Sequence, residues 1–496
     1  YTQHVDAWGT MQWSYYGATL CDAPYGQVGP VLVSDGAGGA LYAWTDLRDP
    51  GRLKDIYVQR IDADGTVLWT PNGLPLCADS SRQYLPVMVA DGAGGAIIAW
   101  YDERDGATYA NIYAQKVDAN GTPQWATNGV QVCDADGAEV DLSLVSDGAG
   151  GAIVVWEDTR TGLDSANVYA QRIDANGVVQ WPWNGVALCD TASCVQPAAV
   201  SDGAGGALVT WTDFRGGSAW QVFAQRIDGL GNVQWMHNGV PICTNGLHAY
   251  NASLAADGSG GAVIAWEDQR PGSTDLGIYA QRINGSGAAL WTVDGVAVST
   301  ATGHQVAPVL VTDGANGAVV TWKDLRGGSA SGDIYAQRMD ATGTALWTID
   351  GAPISIAPSD QTSPTLAGDG NGGAVITWAD LRWGLSLGYD IYTQLVNTNG
   401  DLGIVLGMAD ADGLPALEAY PNPTTDQVTV RLAHRASERQ TLGLFDATGR
   451  LARTIPISPG SGSVTVNVRD LAGGTYAIRS LVNTAAPPTM LVIVRE

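Results

Sequence analysis

The sequence predicts an all-β fold: a seven-bladed β-propeller with four strands per blade, followed by a small Ig-like β-sandwich. Three observations support this prediction. One motif recurs every 55 or 56 residues, short apolar runs alternate with glycine-rich turns, and no helical period occurs along the chain. The composition agrees, because 64 of the 496 residues are glycine and 18 are tryptophan, against 3 phenylalanines, as is typical of β-rich chains with many tight turns.

The repeating unit is marked by the hexapeptide Asp-Gly-x-(Gly/Asn)-Gly-Ala. Seven copies at this long period indicate a solenoid, an array or a propeller. The copies begin at Asp35, Asp91, Asp147, Asp202, Asp257, Asp313 and Asp369.

Each unit contains four predicted strands. In the first unit they are Pro30–Ser34, Ala40–Arg48, Asp55–Asp62 and Thr66–Trp69, and the last continues to Cys77. The third and fourth strands are joined by Asp-Ala-Asp-Gly, which suits a type I turn closed by a left-handed glycine. Strands this short, separated by such turns, predict an all-β fold.

Two features favour a closed ring over an open solenoid. The second strand is apolar on both faces near its start, as at Ile97 and Ile98, which indicates a blade packed between two other blades. The segment Val5–Cys21 matches the third-to-fourth strand part of a unit, whereas the seventh unit lacks the fourth-strand tryptophan near Leu402. We therefore expect the N-terminal segment to supply the outer strand of the last blade.

Charge and hydropathy exclude several classes of function. The net charge of −25 argues against a nucleic-acid binder with a broad basic surface and disfavours docking on anionic lipid. A hydrophobic content of 45% argues against disorder. No apolar run approaches the ~20 residues of a transmembrane helix, so no transmembrane segment is predicted, and no cofactor is predicted.

Fourteen tryptophans recur at two phases of the repeat, which indicates a structural role between blades. Those of the second strand are Trp44, Trp100, Trp156, Trp211, Trp266, Trp322 and Trp378, and those of the fourth are Trp13, Trp69, Trp125, Trp181, Trp235, Trp291 and Trp347.

Asp-x-Arg follows the second-strand tryptophan in every unit, as in Asp46 and Arg48. These residues could form a ring of charged sites. We favour a cross-strand Asp–Arg pair that clamps each blade, because chemistry rarely needs seven copies. The Asp-Gly turns offer too few carboxylates for calcium, and Asp at a turn usually bonds its own backbone, so no metal site is predicted.

Five of the six cysteines share one phase of the repeat and are interpreted as small buried side chains: Cys21, Cys77, Cys133, Cys189 and Cys243. Ser299 and Ser355 occupy the same slot in later units. Cys194 lies outside this phase, and the sequence leaves open whether it forms a short disulfide with Cys189.

Loops on the two edges of the blades should differ in role. The first-to-second and third-to-fourth turns are near-identical copies, whereas the second-to-third and blade-to-blade loops vary and can carry recognition. Exposed aromatics with a few polar groups suit binding of a glycan or a protein, although local packing is an equally good explanation. The candidates on this variable-loop face are Tyr25, Tyr84, Tyr109, Trp220, His248, Tyr250, His304, Trp383 and Tyr389.

The composition changes near the C-terminus. We expect the propeller to cover residues 1–406, a short linker residues 407–416, and a β-sandwich residues 417–496. Within the last segment, Tyr-Pro-Asn-Pro is followed by an Asp-x-x-Gly-Arg hairpin, a Leu-x-x-Gly-x-Tyr strand and an apolar final strand with a basic end. The residues concerned are Tyr420, Pro421, Asn422, Pro423, Gly449, Arg450, Gly474, Tyr476 and Arg495.

This stretch resembles the type A C-terminal sorting domain of type IX secretion cargo. The resemblance implies export across the outer membrane of a Gram-negative bacterium, with the type IX translocon as a transient partner. It also implies a secreted or cell-surface location, often with cleavage of the tail. Glu496 after Arg495 departs from the pattern.

Three functions remain open at this point. The leading hypothesis is an exported binding module that holds a glycan or protein through its variable-loop face. The alternative is a structural subunit of an extracellular or outer-membrane assembly that keeps its sorting domain. A glycan-active enzyme is the third, and it would need a carboxylate pair in the central channel. No catalytic residue is assigned.

Overall fold

The computed structural model describes residues 1–6, 11–14, 16–48, 54–106, 109–162, 165–191, 193–272, 275–328, 331–382, 388–402, 406–407, 417–420, 426–432, 440–446, 450–458, 461, 463–480 and 489–493. The chain divides into two compact units, residues 1–406 and 407–496. Regular structure in the described residues of both units is β-strand throughout.

The repeats form four-stranded antiparallel sheets, one per repeat, with the strands in chain order. The first three sheets contain β1 (Gln27–Ser34), β2 (Ala40–Asp46), β3 (Asp55–Ile61), β4 (Leu74–Cys77); β5 (Gln83–Ala90), β6 (Ala96–Asp102), β7 (Asn111–Val117), β8 (Val130–Cys133); and β9 (Glu139–Ser146), β10 (Ala152–Asp158), β11 (Asn167–Ile173), β12 (Val186–Cys189).

The next four sheets repeat this arrangement. They contain β13 (Cys194–Ser201), β14 (Ala207–Asp213), β15 (Gln221–Ile227), β16 (Val240–Cys243); β17 (Ala249–Ala256), β18 (Ala262–Gly272), β19 (Asp275–Ile283), β20 (Val296–Ser299); β21 (Gln305–Thr312), β22 (Ala318–Asp324), β23 (Asp333–Met339), β24 (Ala352–Ser355); and β25 (Gln361–Gly368), β26 (Ala374–Asp380), β27 (Asp390–Val396), β28 (Leu406–Gly407).

The fourth strand differs from the prediction. In the first sheet, Val67 makes one isolated bridge to Ile61, a turn is closed by the Gly73 N–H bond to the Thr70 carbonyl, and the regular strand is β4. The turn is tight because a Cβ on Gly73 would lie 2.5 Å from the Trp44 ring. Trp69 thus precedes the regular strand, and its indole packs over the turn at Gly121 of the next sheet.

Successive sheets pack face to face through apolar side chains. Leu41, Ala43 and Ile56 of the first sheet share one buried cluster with Ile98 and Trp100 of the second. The same pairing recurs between later neighbours, so the second strand is buried on both faces, as the sequence predicted. Burial of this apolar area is the main source of stability between sheets.

The first strand of each sheet contains a bulge with a left-handed residue. In the second sheet the register of β5 with β6 shifts between Tyr84 and Val87, and Leu85 has φ 51°. The Leu85 N–H leaves the strand ladder and donates to Thr45 Oγ1 of the preceding sheet at 3.0 Å. The bulges of the third, fourth and sixth sheets are likewise capped from the preceding sheet.

Different side chains perform this capping at the residue after the second-strand tryptophan. Tyr101 Oη accepts from the Leu142 N–H at 3.1 Å, and Glu157 accepts from the next sheet in the same way. Glu267 Oε1 accepts from the Ala307 N–H at 2.8 Å and from Asn251 Nδ2 at 2.9 Å. Burial raises the pKa of Glu267 despite these hydrogen bonds.

The Asp-x-Arg motif forms a clamp, but the ion pair is local to the second strand and does not cross strands as predicted. In the fifth sheet, Asp268 accepts from the Trp266 indole at 2.9 Å and from the Arg270 Nε and backbone N–H, both at 2.9 Å. The guanidinium lies 3.8 Å from the centroid of the Tyr279 ring. It also donates to the Asp294 carbonyl at 2.6 Å. One arginine therefore ties the second strand to the third strand and to the turn before the fourth.

A second set of ion pairs closes the opposite edge of the sheets. Arg60 of β3 pairs with Asp35 of the Asp-Gly turn at 2.8 Å and donates to the Ala119 carbonyl of the next sheet at 2.9 Å. Asp35 also accepts from the backbone N–H groups of Ala37 and Gly39, each at 2.8 Å. These carboxylates are therefore occupied by their own turns.

The N-terminal segment does not take the place predicted for it. β27 pairs with β28, so the seventh sheet receives its fourth strand from its own repeat. Thr2 bridges Ala18, and the Trp13 indole donates to the Ala63 carbonyl of the first sheet at 2.8 Å. The segment copies the third and fourth strands of a repeat and packs on the first sheet, because Trp13 covers the turn at Gly65.

The second unit contains a three-stranded sheet and a four-stranded sheet that share one apolar core. The first sheet consists of β29 (Leu417–Tyr420), β30 (Gln427–Leu432) and β33 (Ser463–Asn467). The second consists of β31 (Gln440–Phe445), β32 (Leu451–Ile457), β34 (Gly474–Ser480) and β35 (Thr489–Ile493). Within the described residues of both units, a helix long and apolar enough to span a bilayer is not found.

Asp268→Ala should lower the free energy of unfolding of the repeat unit by about 3 kcal/mol, because it leaves the largely buried Arg270 guanidinium without its carboxylate. Urea unfolding of the full chain, followed by tryptophan fluorescence, measures this unit, since all 18 tryptophans precede residue 384. Glu103→Ala is the control: it removes a half-exposed pair with Arg82 and should cost under about 1 kcal/mol. Equal losses in the two variants would contradict the clamp.

Glu267→Gln should gain stability relative to the native chain as the pH rises. Burial raises the pKa of Glu267 above its value in the unfolded chain. The native protein therefore loses stability as the pH rises from the pKa of this group in the unfolded chain to its pKa in the folded protein. Glutamine keeps an acceptor for the Ala307 N–H and does not ionise. Urea midpoints from about pH 4 to about pH 8 measure the difference.

Tyr101→Phe provides the control for this pH dependence. It removes a neutral acceptor at the equivalent position of the second sheet, so its loss of stability should be the same across this pH range. A difference in stability between Glu267→Gln and the native chain that stays constant with pH would show that folding does not raise the pKa of Glu267.

Candidate binding groove

The two edges of the sheets differ in the way the sequence predicted. Every Asp-Gly turn on one edge repeats the same hydrogen bonds, as Asp91 shows by accepting from Ala93 and Gly95 at 2.8 Å. The loops on the other edge differ in length and composition between repeats. A cavity formed by these variable loops can therefore be specific to one position in the protein.

Such a groove lies between the second and third sheets. Its volume is about 660 Å³ and it is open to solvent. One wall is the loop between β6 and β7, and the other is the loop between β8 and β9. The lining side chains are mostly polar: Asp105, Tyr109, Asn111, Gln131, Asp134 and Asp136.

The first wall is organised by the Asp105 carboxylate. Its Oδ2 accepts from Asn111 Nδ2 at 2.8 Å, from the Tyr113 hydroxyl at 3.0 Å and from Gln131 Nε2 at 3.1 Å. Within the described residues, all three of these hydrogen bonds go to the same carboxylate oxygen. Tyr109 follows in the same loop with 38% of its surface exposed.

The second wall is the segment Asp134–Ala138, which is pinned to the end of β10. The Ala138 N–H donates to Thr159 Oγ1 at 2.7 Å, and the Thr159 N–H donates to the Ala138 carbonyl at 3.0 Å. Gly137 has φ 132°, and a Cβ there would lie 2.6 Å from the Arg160 nitrogen. Only glycine fits, so the backbone of this wall is held against the third sheet.

A buried cluster lies where this wall meets the sheet. Cys133 ends β8 and Glu139 begins β9, so the two residues flank the wall. Cys133 Sγ is 3.3 Å from Glu139 Oε1. Burial raises the pKa of Glu139 to about 7 and also raises the pKa of the Cys133 thiol.

Of the candidates predicted from the sequence, Tyr109 is the one that lines this groove. Trp220 is half-buried against Phe214, with ring centroids 4.8 Å apart, and its backbone N–H donates to His248 Nδ1 at 3.2 Å. Tyr84 packs on Tyr101. These three candidates therefore make local packing contacts.

The remaining candidates are scattered. Tyr250 is half-buried in β17, His304 is exposed, and Tyr25 is 67% exposed. Tyr389 is exposed and its hydroxyl donates to Asp360 at 3.4 Å. Trp383 lies outside the described residues.

The polar lining of the groove was not predicted. Asp105, Asn111, Gln131, Asp134 and Asp136 are single polar residues in variable segments, and nothing in their spacing brings the two loops together. A comparison of the second-to-third loops among repeats, in which an aspartate directly follows the clamp arginine at Asp49 and Asp105, could have pointed to one wall.

A second cavity, of about 450 Å³, is lined by the first strands of five successive sheets. Its polar lining consists of Ser253 and the left-handed bulge residues Asp141, Gln196, Asn251 and Ser363. Asp141 is the carboxylate among these lining residues, and burial raises its pKa.

The cysteines follow the predicted pattern of buried side chains in part. Cys77, Cys133 and Cys243 are free and buried, and Cys21 is partly exposed. Cys189 and Cys194, whose pairing the sequence left open, form a disulfide.

The sorting-signal residues of the second unit are partly described. Tyr420 ends β29, and Gly474 begins β34. Tyr476 is buried and its hydroxyl donates to the Ala472 carbonyl at 3.1 Å. The exposed Arg450 donates its N–H to Asp446 Oδ1 at 3.0 Å. Pro421, Asn422, Pro423, Gly449 and Arg495 lie outside the described residues.

Residues 418–493 match the family described as "Secretion system C-terminal sorting domain". This confirms the resemblance for the C-terminal segment. The protein is exported through the type IX secretion system, across the outer membrane of a Gram-negative bacterium, to the cell surface or the medium. A comparison with curated proteins found no match.

Solved structures similar to this chain include β-propellers. The BP39L lectin from Burkholderia pseudomallei is 12% identical over 77% of this chain and 99% of its own, with a TM-score of 0.47. The β-propeller domain of the Trilobed protease from Pyrococcus furiosus is 10% identical over 78% and 98%, with a TM-score of 0.44. A Dyadobacter fermentans protein of unknown function is 14% identical over 65% and 96%, with a TM-score of 0.36.

Gly137→Ala should destabilise the repeat unit by about 3 kcal/mol, because the added Cβ meets backbone atoms of Thr159 and Arg160 and the φ angle suits glycine. Gly148→Ala is the matched control. Gly148 has φ 70° with nothing within 4 Å of an added Cβ, so only the backbone strain of about 1 kcal/mol should appear. Urea unfolding measures both, and similar losses would show that the wall is not tightly packed.

Proposed function

We propose that residues 1–406 form a seven-bladed β-propeller that acts, after export, as a glycan-binding module. The observation that carries this proposal is the groove between the second and third sheets, an open polar cavity of about 660 Å³ whose walls are variable loops on a uniform scaffold. A volume in this range suits a small ligand or the end of a larger one.

The chemistry of the lining favours a sugar. Sugar hydroxyls are donors, and the carboxylates of Asp105, Asp134 and Asp136 are strong acceptors. The exposed Tyr109 ring offers an apolar surface with a polar tip, which suits the C–H face of a sugar ring. Asn111 and Gln131 already hold Asp105 in place, so little ordering is required when a ligand binds.

A protein partner is less well matched to this groove. Protein interfaces depend on buried aromatic or arginine anchors in desolvated pockets, whereas this cavity is open and acidic, with one aromatic side chain in its lining. The proposal therefore commits to a neutral glycan, since an acidic one would be repelled by the three carboxylates.

Tyr109→Ala should weaken binding of the glycan by at least tenfold, about 1.4 kcal/mol, because it removes the aromatic surface and leaves the hydrogen-bonding residues. The native full chain is first screened on an array of neutral and acidic bacterial, plant and host glycans. The dissociation constant of the best neutral hit is then measured by calorimetry for the native chain and the variant.

Tyr25→Ala is the matched control, since Tyr25 is an exposed tyrosine outside the groove lining, and it should bind as the native chain does. Asp136→Asn should also weaken binding. An array without a neutral hit, or a hit bound equally by the Tyr109 and Tyr25 variants, would overturn the proposal.

A further inference from the structure

One tryptophan outside the repeat pattern lies beside the groove. Most tryptophans recur at two phases of the repeat, and Trp183 belongs to neither phase. Within the part of the chain that the structure describes, Trp183 is the one tryptophan classed as exposed, with 53% of its surface accessible, whereas Trp181, two residues before it, is 6% exposed. Exposed tryptophans are enriched where proteins bind their ligands and partners.

Trp183 is joined to the second wall of the groove. Its indole N–H donates to Asp134 Oδ1 at 2.8 Å, and Asp134 is part of the groove lining. The adjacent Asn184 accepts from the Asp134 backbone N–H at 3.0 Å. Two consecutive residues of the third repeat therefore hold both the side chain and the backbone of Asp134, and the indole lies directly beyond the lining.

The position of Trp183 is set by the repeat, but its side chain is not. The hydrogen bond from Asp134 to Asn184 has equivalents from the Asp190 N–H to Asn238 Oδ1 at 2.9 Å and from the Thr244 N–H to the next repeat at 2.8 Å. The same turn thus lies against the preceding blade-to-blade loop in these repeats. In the first, second, fourth, fifth and sixth repeats the residues equivalent to Trp183 are Pro71, Thr127, His237, Val293 and Ile349. Among these six repeats, an indole occurs only beside the groove.

Each wall of the groove therefore has an aromatic ring close to a carboxylate. Tyr109 follows Asp105 in the loop of the first wall, and Trp183 is bonded to Asp134 on the second. A ring of this kind can contact the C–H face of a sugar, while the carboxylate accepts hydrogen bonds from the sugar hydroxyls. A cavity of about 660 Å³ is in the range that holds a drug-sized ligand, which is larger than one sugar ring.

We propose that Trp183 is a second stacking residue of the groove and that the ligand is a glycan chain of two or more sugar units, one on Tyr109 and another on Trp183. This inference rests on the proposed glycan-binding function and adds the length of the ligand to it. The hydrogen bond to Asp134 orients the indole before the ligand arrives, so little side-chain entropy is lost on binding. Because the indole N–H is already used, Trp183 contributes through the surface of its ring.

The dependence of affinity on glycan length tests this inference. The neutral glycan identified on the array is prepared as fragments that range from the single sugar to the tetramer, and calorimetry with the full chain gives the dissociation constant of each fragment. For the native chain, the affinity should rise roughly tenfold or more between the single sugar, which binds at Tyr109, and the fragment that first reaches both rings.

Trp183→Ala should bind the single sugar as the native chain does, but it should lose this gain of roughly tenfold for the longer fragments. Trp183→Phe keeps a ring and removes the N–H that bonds Asp134, so it should retain most of the gain. His237→Ala is the matched control, because His237 holds the equivalent position of the fourth repeat, beside Asp190, and it should bind every fragment as the native chain does. The urea midpoint should stay unchanged in all three variants, since both side chains are exposed.

The outcomes separate this inference from the proposed function. Tyr109→Ala should weaken the binding of every fragment. If it does, but Trp183→Ala binds all fragments as the native chain does, the glycan site stands and the second stacking position is wrong. Trp183→Phe binding as weakly as Trp183→Ala would show that the indole acts only by positioning Asp134, and a native affinity that does not rise with length would show that one sugar fills the site; either result overturns the inference. An array without a neutral hit would overturn both the inference and the proposed function.

Discussion

The buried aspartate of each second strand is the residue on which the rest of the repeat unit depends. It accepts hydrogen bonds from the indole two residues before it and from the arginine two residues after it, as Asp46 does from Trp44 and Arg48. Burial would raise the pKa of Asp46, but these hydrogen bonds outweigh burial and lower it. A charge so well compensated is stable in the interior, and the arginine then extends to the third strand and to the turn before the fourth. Three strands are thereby fixed at the edge where the variable loops begin.

Because the clamp holds three strands of each sheet, the loops beyond it can differ between repeats without loss of the fold. The loop after Arg104 begins directly beyond the clamp, and its Asp105 accepts hydrogen bonds from Asn111, Tyr113 and Gln131 without being part of the clamp. Tyr109 can be specific to the second repeat, whereas Asp105 has a counterpart in the sequence of the first repeat, Asp49. The turns at the opposite edge cannot vary in this way. Asp35 accepts a hydrogen bond from its own turn, and Arg60 donates to a carbonyl of the next sheet. The uniform edge stabilises the assembly of sheets, and the variable edge carries the groove for which we propose a binding role.

The junction between the fourth strand of one sheet and the first strand of the next is the second place where the repeats differ in chemistry. The same two positions hold Cys77 and Gln83 in one repeat, Cys133 and Glu139 in the next, and the Cys189–Cys194 disulfide after that. All of these lie against the clamp aspartate, where water is excluded. Substitutions at this junction can therefore introduce a buried carboxyl group or a cross-link without disturbing the strands.

The sequence by itself determined the period, the first three strands of each unit, the turn chemistry and the structural role of the tryptophans. These follow from local residue patterns: Ile97 and Ile98 show a strand buried on both faces, and Asp-Gly sets a turn whatever surrounds it. It also determined the export route, because the sorting motifs are contiguous in the chain. Tertiary structure decided which side chains meet. Asp105 and Asp136 lie in different repeats, and their proximity results from the packing of two sheets. The placement of the N-terminal segment on the first sheet and the burial of Glu139 likewise depend on contacts between distant residues that no local pattern encodes.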